Sequence, residues 1–274
     1  MNNEASYDLC IYHANCADGF GAAWVVSKAY PNIKMHAANY GEQPPDVTGL
    51  RVIMVDFSYK RSALLGMAAW ANSILILDHH KSAKEDLTYL PGNVTAIFDM
   101  NKSGAMLAWE FFYLDMIAPQ LIKHIQDRDL WQFKIPGTRE IQANVFSYPY
   151  DFAVWDMLMG TPSELLIADG AAIERKHHKD IAELLAGIKS MMTIAGYEVP
   201  VANLPYTYSS DAGHIMAEGQ PFAACYWNTP KGRVFSLRSA EDGMDVSEIA
   251  KSYGGGGHEH AAGFTVPYGH PLNP

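Results

Sequence analysis

The sequence predicts an α/β fold, a mostly parallel, doubly wound sheet followed by a second, smaller α/β domain, on three observations. Short apolar runs alternate with helical stretches rich in Ala, Leu, Met and Trp as far as Leu114. The middle of the chain then turns mainly helical. Beyond residue 195 the texture changes again, to strand and turn patterns with a glycine run. Strand, helix, strand in repetition needs crossover connections, which give parallel strands with helices on both faces.

Taken in order, Asp8–Tyr12 reads as the first strand and Ile33–Ala38 as a weaker second. Arg51–Phe57 and Ser73–Leu77 are the strongest, and Val94–Phe98 is a fifth. Between and after them, Phe20–Ala29, Ser62–Ala71 and Gly104–Leu114 read as helices, the last with Ser103 as its N-cap. Ser163–Gly187 is one long helical pattern. Ala195–Pro205 reads as a linker, so the division expected is a catalytic domain over 1–190 and a smaller substrate-binding domain over 196–274. In the latter, Pro221–Asn228 and Gly232–Arg238 form a hairpin. Asp245 with Glu248 resembles a capping box that opens a short helix ending at Gly254, and His260–Val266 is a final strand.

Composition narrows the function classes. The chain has 274 residues, of which 49% are hydrophobic and 18% charged, enough to bury a substantial core. No apolar run is long enough for a membrane helix, and Met1–Cys10 lacks the pattern of a secretory signal. Three cysteines give no disulfide framework, and a cytoplasmic protein is expected. A formal charge of -10 argues against broad binding to long duplexes. It suits a small phosphorylated substrate held through divalent cations.

The chemistry is positional. Ligands of an open parallel sheet bind beyond the carboxyl ends of its strands. There this sequence puts His13, Cys16 and Asp18 after the first strand and Asp56 after the third. Asp78, His79 and His80 follow the fourth and Asp99 the fifth. Carboxylates and imidazoles from separate segments suit hard to borderline divalent ions, Mn2+ above all, with Mg2+, Co2+ or Zn2+ as alternatives. Two such ions would offset the repulsion among the acids and activate water for attack on phosphorus. Asp99 alone reads as a strand-end turn residue, and His177 and His178 as part of a solvated helix face.

Leu77-Asp78-His79-His80 resembles the signature of the DHH phosphoesterase superfamily, and Tyr12–Gly19 and Val55-Asp56 resemble its first two motifs. Ile125–Asp129 resembles the fourth, acidic motif. Gly254–His258 resembles the glycine-rich motif of the C-terminal domain that accompanies many DHH proteins. The resemblance implies two metal ions. His13 and Asp56 would hold one, and Asp18, Asp56, His79 and Asp127 the other, with Asp56 bridging. Asp127 is preferred to Asp129 by motif position. Asp78 would orient an imidazole and His80 would face the substrate phosphate. Cys16 stands where the family usually has an aspartate, so it is either a soft ligand, favouring Zn2+ or Fe2+, or a bystander. In the second domain Arg238, Ser239, Gly255, Gly256, Gly257 and His258 are the expected substrate-binding residues, the glycines as a backbone nest for an anion.

These expectations converge on a metal-dependent phosphodiesterase that cuts short oligonucleotides or linear dinucleotides to 5′-monophosphates. The alternatives are phosphatase-like hydrolysis of a nucleoside bisphosphate, polyphosphate or cyclic dinucleotide, and a non-catalytic nucleotide sensor. Only Lys231, Arg233, Arg238 and Lys251 are basic between residues 196 and 274, which weighs against pyrophosphate. The sequence leaves a homodimer open.

Overall fold

The computed structural model describes residues 6–273. The chain divides into two compact units, Met1–Glu174 and Arg175–Pro274. None of the described helices is long and apolar enough to cross a membrane.

In the first unit, β1 (Leu9–His13), α1 (Ala17–Ala29), β2 (Lys34–Ala38), β3 (Arg51–Val55), α2 (Arg61–Ala68), β4 (Ser73–Asp78), α3 (Lys81–Asp86), β5 (Val94–Phe98) and α4 (Gly104–Phe112) follow one another. The five strands are all parallel, in the order β2-β1-β3-β4-β5. Strand residues alternate between two cores, as the pleat requires. Cys10, Ile53, Val55, Leu75 and Leu77 pack on Phe20, Val25, Ala105 and Trp109 of α1 and α4. Ile11, Val52, Met54, Ile74 and Ile76 pack on Leu64 and Met67 of α2. Burial on both faces explains why β3 and β4 read as unbroken apolar runs, while the edge strand β2 reads weakly. Three further helices, α5 (Gln120–Asp129), α6 (Thr138–Val145) and α7 (Phe152–Gly160), add Ile122, Ile125, Ile141 and the fully buried Trp155 to the first of these cores.

The long α8 (Ser163–Ile188) is unbroken, as its pattern predicts. In the second unit, β6 (Ser190–Ile194), β7 (Tyr197–Asn203), α9 (Ser209–Ala217), β8 (Ala223–Thr229), β9 (Gly232–Arg238), α10 (Val246–Ser252), β10 (Gly256–His258) and β11 (Ala261–Val266) build one sheet. Its order is β10-β11-β9-β8-β7-β6, with β7 and β8 parallel and the other pairs antiparallel.

Two readings are corrected here. Residues 195–205 are mostly not a linker. Ala195 and Gly196, both with positive φ, make a tight turn between β6 and β7, and Val199 and Val201 are fully buried. Pro200 sits within β7, opposite Met191 of β6 and one residue before the pairing of β7 with β8 begins. His177 is also not simply solvated: its Nε2 lies 3.0 Å from Asp211 Oδ2 and its ring stacks on Tyr208.

Candidate metal centre

The strand order reverses direction between β1 and β3, which is where an open α/β sheet forms its crevice. His13 closes β1 and Asp56 directly follows β3. The Asp56 backbone is left-handed, at φ 53°, an uncommon conformation for a residue with a side chain. Asp56 is buried, with His79 Nε2 3.0 Å from its Oδ1 and His13 Nδ1 3.5 Å from its Oδ2.

Asp18 enters from the first turn of α1 and is held by α4. The Gly104 and Ala105 backbone N–H groups donate to its two oxygens at 2.5 and 2.9 Å. An anion at a helix N-terminus is electrostatically favoured. The positive end of α4 therefore receives a side chain of the protein itself. Asp18 Oδ2 lies 3.5 Å from His79 Nε2.

Two glycines make this packing possible. A Cβ on Gly104 would sit 2.4 Å from Asp56 Cβ and 3.0 Å from Asp18 Oδ2, and one on Gly19 would sit 2.4 Å from the His13 carbonyl oxygen. Neither position has room for a side chain.

Asp78, the last residue of β4, is fully buried and ties down the two histidines that follow it. Its Oδ1 accepts the His79 and His80 backbone N–H groups at 2.7 and 3.2 Å and lies 2.7 Å from His80 Nδ1. Ser58 donates its hydroxyl to Oδ2 at 2.7 Å. Sequence reasoning missed Ser58, since a serine after a strand carries no signal of its own. With Nδ1 engaged, any bond His80 makes to a metal or a substrate goes through Nε2.

The structure separates Asp127 from Asp129 and corrects the preference for the former. Asp127 accepts the Lys134 and Ile135 backbone N–H groups at 2.8 and 3.0 Å and the Thr138 hydroxyl at 2.6 Å, and so ties down the segment between α5 and α6. Asp129 instead brings Oδ2 to 3.5 Å from His79 Nε2.

Among the described residues, ligand atoms of His13, Asp56 and His80 fall within 4.8 Å of one another, as do those of Asp18, Asp56 and His79. Asp56 is common to both groups. Cys16, the N-cap residue of α1, joins neither. Burial, reinforced by Asp56, Asp129 and Asp18, pushes its thiol well above its ordinary value. Asp99 accepts the Asn101 N–H and pairs with Lys102, as a turn residue does.

The charges are unbalanced in a way that fits cations. Burial, with Asp129 and Asp56 beside it, pushes Asp18 well above the carboxylate range. Burial opposes charge on His79, yet Asp129, Asp56 and Asp18 carry it up to about 10. Burial works the same way on Asp56, but the neighbouring His13 and His79 imidazoles hold it well below the ordinary value. Asp78 is held to about 2 by His80 and His79 against its burial. A proton on His79 thus does part of what a metal ion would do. Asp56 Oδ2 and Asp129 Oδ2 are buried with no hydrogen-bond partner among the described residues, which is costly unless something else neutralises them. Buried, unsatisfied carboxylate oxygens beside imidazoles are a donor set suited to borderline divalent ions.

The expected substrate-binding residues lie in the second unit. Ala261 of β11 pairs with Arg238 on one side and His258 on the other, so both share one rung. The Arg238 guanidinium donates to the Ser210 and Ser236 hydroxyls and the Leu237 carbonyl. Ser239 Oγ is 3.0 Å from His260 Nδ1. Of the expected anion nest, Gly256 and Gly257 run in β10, and the Gly255 N–H donates to the Ala250 carbonyl. A Cβ at Gly255 would lie 2.0 Å from the Gly263 carbonyl oxygen, so close strand packing by itself accounts for a glycine there.

No family model matches the chain. The uncharacterized protein R106 of Acanthamoeba polyphaga mimivirus is 31% identical over 295 residues, covering 95% of this chain and 68% of that protein. Among solved structures, the DHH domain of PF0399, a member of a family of ribosomal proteins, superposes with a TM-score of 0.60 at 14% identity, covering 94% of this chain and 82% of that one. The pGpG-specific phosphodiesterase PggH from Vibrio cholerae gives a TM-score of 0.49 at 15% identity, covering 95% and 93%.

Proposed function

Since the chain belongs with mimivirus protein R106 to one family, built on the DHH-domain fold, we propose that it is a metal-dependent phosphodiesterase. Its substrates are short oligonucleotides or linear dinucleotides, cut to 5′-monophosphates. The observation that carries this reading is the sharing of Asp56 by two groups of donor atoms, with buried carboxylate oxygens lacking partners beside it. His13, Asp56 and His80 would hold one divalent ion, and Asp18, Asp56, His79 and Asp129 the other, Mn2+ being the preferred metal. Such a pair supplies a Lewis-acidic field for a phosphoryl group and an activated water.

The protein's own part is positioning. Asp78 and Ser58 fix the His80 ring. The α4 N-terminus fixes Asp18, and Gly104 leaves the space in which Asp18 and Asp56 approach each other. Arg238, Ser239 and His258 of the second unit are proposed as substrate-binding residues, on the strength of the motif resemblance. The test is a product time course on an RNA dimer and a long single strand, with Mn2+ and with chelator. A cyclic dinucleotide, an adenosine bisphosphate and pyrophosphate run in parallel. Fast, chelator-sensitive conversion of the dimer to monophosphates supports the reading. Phosphate release from the bisphosphate or pyrophosphate, with inert oligonucleotides, replaces it by a phosphatase.

A further inference from the structure

Beside the two imidazoles at the front of the donor set stands an aromatic ring that the chemistry above does not use. Tyr40 lies in the turn after β2, with its ring centroid 5.3 Å from that of His13 and 5.9 Å from that of His80. Both contacts are edge-type, at 62° and 79°. Behind it, Phe57 is fully buried and packs at 5.0 Å. Phe57 is in turn wedged edge-on against Tyr59. Tyr40 nevertheless remains 51% exposed.

Its turn is fixed. The Asn39 backbone N–H and side-chain amide both donate to the Glu42 carboxylate, and Gly41 takes the left-handed conformation that follows Tyr40. A large, half-exposed ring, backed by a buried aromatic and held by a pinned turn, needs no reordering before something lies on it.

We propose that Tyr40 is a specificity-determining residue, the platform on which the nucleobase adjoining the metal-held phosphate stacks. The site thereby prefers phosphates that carry a base over bare sugar phosphates or polyphosphate. This deepens the phosphodiesterase reading and rests on its phosphate-binding centre. Stacking is indifferent to base identity, because every base has a π face, so the preference is for a base rather than for a particular one.

The experiment is calorimetric titration of the full-length, Mn2+-loaded protein with adenosine 5′-monophosphate and with ribose 5-phosphate. The protein is compared with Tyr40→Ala and Tyr40→Phe. The wild type should bind the nucleotide at least about fivefold more tightly than the sugar phosphate. Tyr40→Ala should close that gap by weakening the nucleotide alone, and Tyr40→Phe should keep it. Equal affinities in the wild type, a gap that survives in Tyr40→Ala, or equal weakening of both ligands would overturn the proposal. RNA-dimer turnover measured on the same samples separates the two claims. A base-dependent gap without turnover retires the phosphodiesterase reading and keeps the platform, while turnover without the gap does the reverse.

Discussion

Gly104 approaches Asp56 so closely that a Cβ on the glycine would lie 2.4 Å from the aspartate's own Cβ. The N-terminus of α4 and the residue that follows β3 thus pack with no room for a side chain on the glycine. Gly104→Ala should push Asp56 and Asp18 out of register at an overpacking cost of about 1–3 kcal/mol. We expect a protein that folds with a lowered melting temperature and retains less than its full complement of tightly bound metal after dialysis. Elemental analysis with circular dichroism tests this; full metal occupancy would contradict it.

Asp127 and Asp129 should separate cleanly. Asp127→Asn disturbs charge-assisted hydrogen bonds to Lys134, Ile135 and Thr138 and should cost about 1.5–3 kcal/mol in chelator-treated protein. Asp129→Asn should leave that stability unchanged or raised, because it removes one of several acids crowded around Asp18, yet weaken Mn2+ binding. Melting curves in chelator, paired with metal titrations, decide between them.

Metal binding should tighten with pH. Protonated His79 must lose its proton to ligate, and its value of about 10 means that the proton is present throughout the neutral range. Below that value the apparent Mn2+ dissociation constant should fall about tenfold per pH unit for each proton released. The metal-free protein responds in the opposite sense. A raised His79 value contributes stability that is fully present below the ordinary histidine range and is lost as pH rises through about 10. The raised Asp18 value acts in the same direction, its stability being lost as pH rises through the folded-state value. Chelated protein should melt lower at pH 9 than at pH 6, and Mn2+ at a hundred times its dissociation constant should restore about 2.7 kcal/mol. A pH-independent metal affinity would sink the proton-displacement argument.

Asp78→Asn should lower metal affinity or turnover by about 10–100-fold, since the group that orients the His80 imidazole and holds the His79 backbone N–H loses its charge. Ser58→Ala removes a single hydrogen bond to Asp78 and should have the smaller effect. Steady-state kinetics on a nitrophenyl phosphodiester measures both. Unchanged rates in Asp78→Asn would show that His80 needs no orienting partner.

Much of this was legible in the sequence because β3 and β4 are buried on both faces and bounded by polar residues. Their ends place Asp56 and Asp78–His80 at the crevice. The choice between Asp127 and Asp129 was not legible. Residues two apart on a helix point to nearly opposite sides, and which side faces the site depends on how α5 packs, which no local pattern records. The hairpin of β6 and β7 was hidden by Pro200 and Gly196, whose usual meaning as chain breakers yields here to sheet register. Ser58 and Tyr40 were hidden for another reason: they act through neighbours that only the folded chain supplies.

The proposed donors come from four well-separated stretches of chain, and the last of them sits at the C-terminal end of α5. During synthesis, therefore, the emerging polypeptide has no complete ion-binding centre until α5 has cleared the ribosome and docked. From that moment the first unit can become loaded while the rest of the chain is still being made. Acquisition of the ion would then mark a checkpoint in biogenesis: nascent chains stalled before Asp129 should fail to retain Mn2+ tightly, and chains stalled after α8 should retain it.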